Sequence, residues 1–362
     1  LARVMMRAPA RRYRSIDALI PAYNEELCIE GSVMQLLKNP YFNRVIVVND
    51  GSSDRTREIL DRLAAGNPRI LAIHQTNTGK GGALMNGVRH SDAEFVFLTD
   101  ADTWVPSQSD GLGYMLAEMD RGADAVGGIP SSNLQNAGLL PHIRATVKLP
   151  MIILKRSFQQ LVGGAPFIIS GACGLFRRNL LLRVPFSDRT KVEDLDLTWT
   201  LVSLGYKVRQ CNRSFVYSQE CNSITAEWLR WRRWIIGYAV CMRLHANLLP
   251  TRYGILSILP MFLVVLIGTS IYGSHLIFML GADHSLQALA IFLPLLWIAV
   301  AMVIAMISAW HHRRWRLVLF APAAVSYVLL AYAIWLVHGL AGLLTGREPE
   351  RDKPVRYLHV VE

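Results

Sequence analysis

From Gly254 to Leu344 the chain is almost wholly apolar, and that feature limits what it can fold into more than any other. Three stretches, at about 254–280, 287–310 and 317–344, are each long enough to cross a bilayer core, which takes roughly 20 apolar residues in a helix. A globular core could not bury so much apolar surface, so a membrane region is expected. Hydrophobic residues make up 52% of the 362 residues, with the excess in this region. Residues 1 to about 220 read instead as an ordinary mixed globular sequence.

Charge gives these spans a direction. The formal charge is +11, with arginine concentrated at 1–14, 228–243 and 311–316. Basic residues beside apolar spans mark cytoplasmic flanks. No zinc-finger, homeodomain or RNA-recognition signature is present, so nucleic acid is disfavoured as a partner. The "HHRRWR" loop (311–316) is strongly basic, whereas "GADHS" (281–285) has no Lys or Arg. The positive-inside rule then puts the large amino-terminal part in the cytoplasm, at the cell (inner) membrane. Three spans leave the polar tail, 345–362, outside. Its Arg347, Arg351, Lys353 and Arg356 pull the other way, and a re-entrant third segment would reconcile the two. The five cysteines include no C-x-x-C, which suggests free thiols in a reducing compartment. The basic opening segment, 1–15, lacks the apolar core of a signal peptide, and its first residue, Leu1, suggests trimming.

Strand-like runs "IDALIP", "RVIVVND", "RILAIH", "EFVFLTD" and "DAVGGI" punctuate the globular part, with helical patterns at about 25–37, 54–65 and 79–90. That alternation predicts βαβ units and a parallel sheet. Ligands of such sheets bind at the carboxyl ends of the strands, where Asp50, Asp100 and Asp102 fall. Residues 140–165 mix apolar side chains with Arg144, Lys148, Lys155 and Arg156. They read as an interfacial amphipathic helix or as a surface helix of the globular domain.

Six short segments carry chemistry. "IPAYNEE" (Ile20 to Glu26) is a strand entering a polar turn that opens a helix. In "VVNDGSSDRT" Gly51 permits the turn and Asp54 suits a helix cap, which leaves Asp50 for the N–H of a base or a ribose hydroxyl. "NTGKGGALMNG" is not a P-loop, but a glycine-flanked lysine opening a helix suits a phosphate-bearing ligand. "LTDAD" reads as a polar turn or as two carboxylates aimed at one Mg2+ or Mn2+ that would hold and neutralise a diphosphate. "KVEDLDLTWTL" starts a helix with Glu193, Asp194 and Asp196, more acids than the helix dipole calls for, so one can serve as a general base.

In "EWLRWRRWIIGYAV", Trp228, Trp231, Ile235, Tyr238 and Met242 recur at helical spacing and form an aromatic face suited to the membrane interface. Arg230, Arg233, Trp234 and Gly237 form another stripe. Its guanidinium groups suit phosphate and its indole suits a sugar face, although a plain interfacial anchor would have the same composition.

Taken in order, IPAYNEE, VVNDGSSD, NTGKGGAL, TDAD, SGACGLFRR, VEDLD and RWRRW followed by spans resemble the membrane-bound family-2 glycosyltransferases of GT-A fold. The nearest are the processive β-glycan synthases, which make cellulose, hyaluronan, poly-N-acetylglucosamine or chitin oligosaccharides. The resemblance implies an α/β GT-A (nucleotide-diphospho-sugar transferase) domain at 16–222. An interfacial amphipathic segment at 223–250 and about three transmembrane helices at 254–344 follow.

It implies that Pro21, Ala22, Tyr23 and Glu25 belong to the nucleotide-binding turn and that Asp50 contacts the uracil. Lys80 then lies near the donor, and Asp100 and Asp102 hold UDP and Mg2+ or Mn2+. Ser170 to Arg178 receives the acceptor end. Asp194 is the base on the acceptor hydroxyl, Arg233 faces the diphosphate with Arg230 beside it, and Trp234 stacks on the acceptor sugar. Two motifs depart from the pattern: T-E-D reads Val192-Glu193-Asp194, and Arg230 stands where Q-x-x-R-W has Gln. In this sequence no span precedes the domain, though many relatives have one.

The expected activity is inverting transfer from a UDP-sugar to a growing polysaccharide in exopolysaccharide synthesis. UDP-N-acetylglucosamine or UDP-glucose is the expected donor. A partner subunit, a homo-oligomer or a non-processive reaction would each answer for so short a bundle. The alternatives are transfer of one sugar to a lipid acceptor (ceramide, hopanoid or polyprenyl phosphate) and a non-catalytic nucleotide-sensing scaffold.

Overall fold

The computed structural model describes residues 14–281 and 284–348. Nearly all of the basic opening segment, most of the polar tail and part of the "GADHS" loop lie outside the described residues. The chain divides into two compact units, one formed among described residues by 14–135 and 156–219, the other by 136–155 and 220–348.

The first unit alternates strand and helix: β1 (Ile16–Ala22), α1 (Ile29–Leu37), β2 (Phe42–Asp50), α2 (Thr56–Gly66), β3 (Ile70–Gln75), α3 (Gly79–His90) and β4 (Phe95–Leu98). There follow β5 (Thr103–Trp104), α4 (Gly111–Asp120), β6 (Ala125–Ser132), α5 (Leu139–Gly163, of which 139–155 belong to the second unit), β7 (Gly174–Arg177), α6 (Arg178–Arg183), α7 (Glu193–Ser203) and β8 (Val208–Ser218). The strands form one eight-stranded sheet in the order β3-β2-β1-β4-β7-β6-β8-β5. β1 pairs parallel with β2 and β4, and β2 with β3.

The expected parallel sheet holds for these four strands, and β6 also pairs parallel with β8. β7 is antiparallel to both β4 and β6, and β5 to β8, so the sheet is mixed. The early strands are joined by single crossover helices, which force parallel pairing. β7 arrives only after the long excursion through α4, β6 and α5, and so is free to run back against β4.

The central parallel strands β1 and β4 are buried nearly end to end, as suits strands covered on both faces: Ile16, Ala18, Leu19 and Ile20 have no exposed surface. α3 lies so close to β1 that a Cβ on Gly87 would run into the Leu19 side chain. Since the four strands share a direction, the loops after β1, β2, β3 and β4 all leave the same edge of the sheet. That edge carries residues 23–26, 51–55, 76–78 and 99–102.

In the second unit α8 (Ile224–Leu244) precedes α9 (Leu259–Gly281), α10 (His284–His312) and α11 (Ala321–Thr345). Among the described residues three segments are long and apolar enough to cross a membrane: Gly254–Ile271, Pro294–His312 and Trp315–Thr345. Leu263, Ile267, Val303, Leu340 and Leu344 are exposed on them, as lipid-facing side chains would be. α11 is one continuous helix, preceded by a 3-10 turn at Trp315–Phe320.

The aromatic face of α8 corrects an expectation. Trp228, Trp231, Ile235 and Tyr238 pack with Phe262 and Val265 of α9 and with Tyr332, Ile334 and Trp335 of α11 rather than lying open on lipid. Small residues make this close packing possible: a Cβ on Gly342 of α11 would lie 2.9 Å from the Ala239 Cβ and 3.1 Å from the Ile236 Cα. An apolar helix face has the same composition whether lipid or protein covers it.

Candidate active site

The loops after β1 and β2 are laced together by bonds from backbone N–H groups to side-chain oxygens. Asn24 takes a left-handed conformation (φ 53°), from which its N–H donates to the Ser52 Oγ (2.8 Å) and its Oδ1 accepts from the Ser53 N–H (2.7 Å). The Glu25 N–H donates to the Thr56 Oγ1 at 2.8 Å and the Glu26 N–H to the Asp54 Oδ2 at 3.1 Å. Pro21 and Ala22 end β1 in register with Val48 and Asn49. Glu25 is buried, its carbonyl accepting from the Cys28 and Ile29 N–H groups that open α1, while Tyr23 is exposed.

The structure separates the two aspartates of "NDGSSD". Asp54 accepts from the Thr56 N–H at 3.0 Å, at the first residue of α2, although the N-cap position itself is Arg55. Asp50 is buried at the end of β2, where its Oδ1 accepts from the Thr78 N–H and the Gln75 Nε2, both at 2.8 Å. Gly51 makes the intervening turn possible with φ +75°, and a Cβ there would sit 2.9 Å from the Asn77 backbone nitrogen.

Lys80 lies in the first turn of α3, just after Gly79 (φ +83°). Its Nζ is 2.6 Å from the Asp100 Oδ1 and 3.3 Å from the Glu193 Oε1. Beside it the Gly171 N–H donates to the Asp194 Oδ2 at 3.0 Å, and a Cβ on Gly171 would approach the Lys80 Nζ to 3.1 Å. The structure therefore brings Lys80, Asp100, Gly171, Glu193 and Asp194 together, from four separate chain segments.

Burial raises the Asp194 carboxyl above the usual carboxylate range, and the Glu193 and Asp100 charges add to the rise. Lys80 and the Gly171 N–H oppose it. A carboxylate with a raised pKa is a stronger proton acceptor. Glu193 is thus a direct partner of Lys80. Asp196 is turned away, anchored by Ser187 and by the Arg189 guanidinium at 2.7 Å. The two acids of "DAD" have different surroundings: Asp100 meets Lys80, while Asp102 is buried, accepting from Thr103 Oγ1 at 3.3 Å and, through its carbonyl, from the Gln219 N–H at 3.2 Å.

An interaction not read from the sequence holds this cluster in place. The segment before β7 is laced onto α7 at alternate residues. Trp199 Nε1 donates to the Phe167 carbonyl (2.9 Å), the Ile169 N–H to the Thr198 Oγ1 (3.0 Å) and the Gly171 N–H to Asp194. The only available signal was the spacing of 194 and 198 on one helix face.

In the second unit, Arg230 pairs with Glu220 at 3.0 Å and with Glu227. The Trp234 ring centre lies 5.4 Å from the Arg230 Cζ and 5.5 Å from the Arg144 Cζ. Arg233 and Trp234 are partly buried.

Comparison with known proteins bears on these observations. The glycosyl transferase family 2 profile matches residues 17–184. An Escherichia coli (strain K12) protein described as "Uncharacterized glycosyltransferase YaiP" is 60% identical over 361 residues, covering 99% of this chain and 90% of that one. The poly-beta-1,6-N-acetyl-D-glucosamine synthase of Staphylococcus aureus (strain COL) is 29% identical over 228 residues, 61% of this chain and 54% of the synthase. The match therefore spans about half of that synthase. Among solved structures, the mannosyltransferase PcManGT from Pyrobaculum calidifontis, in complex with GDP-Man and Mn2+, superposes with a TM-score of 0.57 at 18% identity. That match covers 87% of this chain and 88% of the other, and it supports the GT-A-like fold alone.

Proposed function

Because the chain belongs to glycosyl transferase family 2, we propose that it is an inverting glycosyltransferase that extends a polysaccharide from a UDP-sugar at the cytoplasmic face of the inner membrane. The similarity to a poly-N-acetylglucosamine synthase makes UDP-N-acetylglucosamine the first donor to test. The observation that carries the chemistry is the Lys80–Asp100–Glu193–Asp194 cluster at the carboxyl edge of the parallel strands.

In this reading Asp194 takes the proton from the acceptor hydroxyl, which then attacks the anomeric carbon opposite UDP. The Gly171 N–H fixes one oxygen of Asp194, and its raised pKa suits proton acceptance. Lys80 neutralises charge on the donor side, and Asp50, Tyr23 and Glu25 with Pro21 and Ala22 form the nucleotide turn.

The side chains of Asp100 and Asp102 offer only oxygen, a donor set that fits Mg2+ or Mn2+. Such an ion would stabilise the diphosphate as it leaves. For Arg233 facing the diphosphate and Trp234 stacking on the acceptor, the proposal rests on motif resemblance. The test is to incubate membranes with labelled UDP-sugars and size the products. Polymer from UDP-N-acetylglucosamine is the expected result. Single-sugar lipid adducts would refute chain extension, and no turnover with any donor would refute the enzyme reading.

A further inference from the structure

Arg230 stands where the family motif has a glutamine, and its surroundings are unusual. Glu220 and Glu227 are both buried, with side chains 1% and 2% exposed. Around them gather Arg144 (3.1 Å to Glu220, 2.8 Å to Glu227), Lys148 (2.6 Å to Glu220) and Arg230 (3.0 Å to Glu220, and paired with Glu227). Glu227 also accepts from the Trp231 Nε1 at 2.9 Å and from the Tyr327 hydroxyl of α11 at 2.5 Å. Both terminal nitrogens of Arg230 therefore face carboxylates, and its Nε has no hydrogen-bond partner among the described residues. The flat guanidinium is left to approach Trp234, whose ring centre is 5.4 Å from its Cζ.

We infer that Arg230 is a positioning residue: Glu220 and Glu227 fix it, and it fixes the Trp234 ring as a platform for the acceptor sugar rather than binding the donor diphosphate. The inference rests on the proposed function for the acceptor but not for the geometry. A guanidinium held at two nitrogens can stack on an indole with little freedom to turn. Charge count makes the site testable. Three cations face two carboxylates, so Arg230→Gln, which restores the family's residue, leaves two of each and a balanced network.

The experiment uses the full chain in lipid nanodiscs. UDP binding is measured by calorimetry with Mn2+, and transfer from UDP-N-acetylglucosamine to a β-1,6-linked N-acetylglucosamine tetrasaccharide gives kcat and KM. Trp234 emission is read as the difference between the wild type and Trp234→Phe. For Arg230→Gln we expect UDP affinity within twofold of wild type, acceptor KM raised about tenfold, kcat within threefold and a shifted Trp234 emission. Arg230→Lys keeps the charge but loses the planar guanidinium beside Trp234, and should shift the emission as well, which guards against a Gln variant that fails to fold.

UDP binding weakened tenfold would make Arg230 a diphosphate ligand and overturn the inference. So would unchanged Trp234 emission in both variants. If the wild type turns over no UDP-sugar, the glycosyltransfer reading fails, and the emission arm still decides whether Arg230 holds Trp234.

Discussion

The α/β unit and the helical unit each contain a cluster of charge, and the two are built in opposite ways. At the sheet edge three carboxylates, Asp100, Glu193 and Asp194, share one ammonium, Lys80, whose partner Asp100 is 31% exposed. Just before and on α8 two buried carboxylates, Glu220 and Glu227, face three cations, and a tryptophan and a tyrosine also donate to Glu227. The first cluster has excess negative charge, and its Asp100 reaches solvent while Glu193 is buried. The second is closed on itself. Ion pairs of the second kind hold structure, and breaking one strands a buried charge. In the proposed function similar residues would serve chemistry in one place and position in the other, and the sign of the charge excess distinguishes the two.

If that contrast is right, the largest stability loss belongs to the closed cluster. Glu227→Ala leaves three cations against one carboxylate and should cost about 3–5 kcal/mol, read as a lower unfolding midpoint. A midpoint within a degree of wild type would break the contrast. Gly51→Ala should cost ~1–3 kcal/mol, because φ is +75° and a Cβ would press on the Asn77 backbone at 2.9 Å. It should also weaken UDP binding by moving Asp50, and calorimetry checks both effects. Asp54→Ala removes the acceptor of the Thr56 and Glu26 N–H groups and should cost about 1–2 kcal/mol with transfer unchanged. A loss of transfer there would show that the two aspartates of the loop are not separable.

The pH dependence is a finer test. A base must be deprotonated, so transfer should fall as pH drops through the raised Asp194 pKa. Lys80 holds that pKa down, so Lys80→Met should move the acid limb of the residual rate to higher pH. An unmoved limb would detach Lys80 from Asp194.

The parts of the fold visible in the sequence were those with a strong period. β1 to β4 and their helices alternate as apolar runs and amphipathic turns, and the structure places them within a few residues of the expected bounds. β8 was not visible, since "VRQCNRSFVYS" has no continuous apolar run. Nor was β7, four residues inside a segment quoted for its chemistry. The reversed strand β7 was lost with them, and with it the mixed character of the sheet. Asp50, Asp100 and Asp102 stood out as acids at strand ends and Lys80 and Asp194 as residues that open helices, while their roles came from motif resemblance. What no spacing revealed was long-range contact: Gly171 against Asp194, or Arg144 and Lys148 of α5 on Glu220. One local hint was present, the Glu227–Arg230 pair at i,i+3 on a helix.

The central claim is that the open cluster performs the chemistry through Asp194. It is tested most directly by Asp194→Asn, which keeps the shape of the side chain and removes the base. The full chain in nanodiscs is assayed for UDP binding with Mn2+ and for transfer. Binding within twofold of wild type with transfer reduced at least ~1,000-fold is the predicted result, the size expected when a positioned general base is removed. Transfer at the wild-type rate would contradict the account.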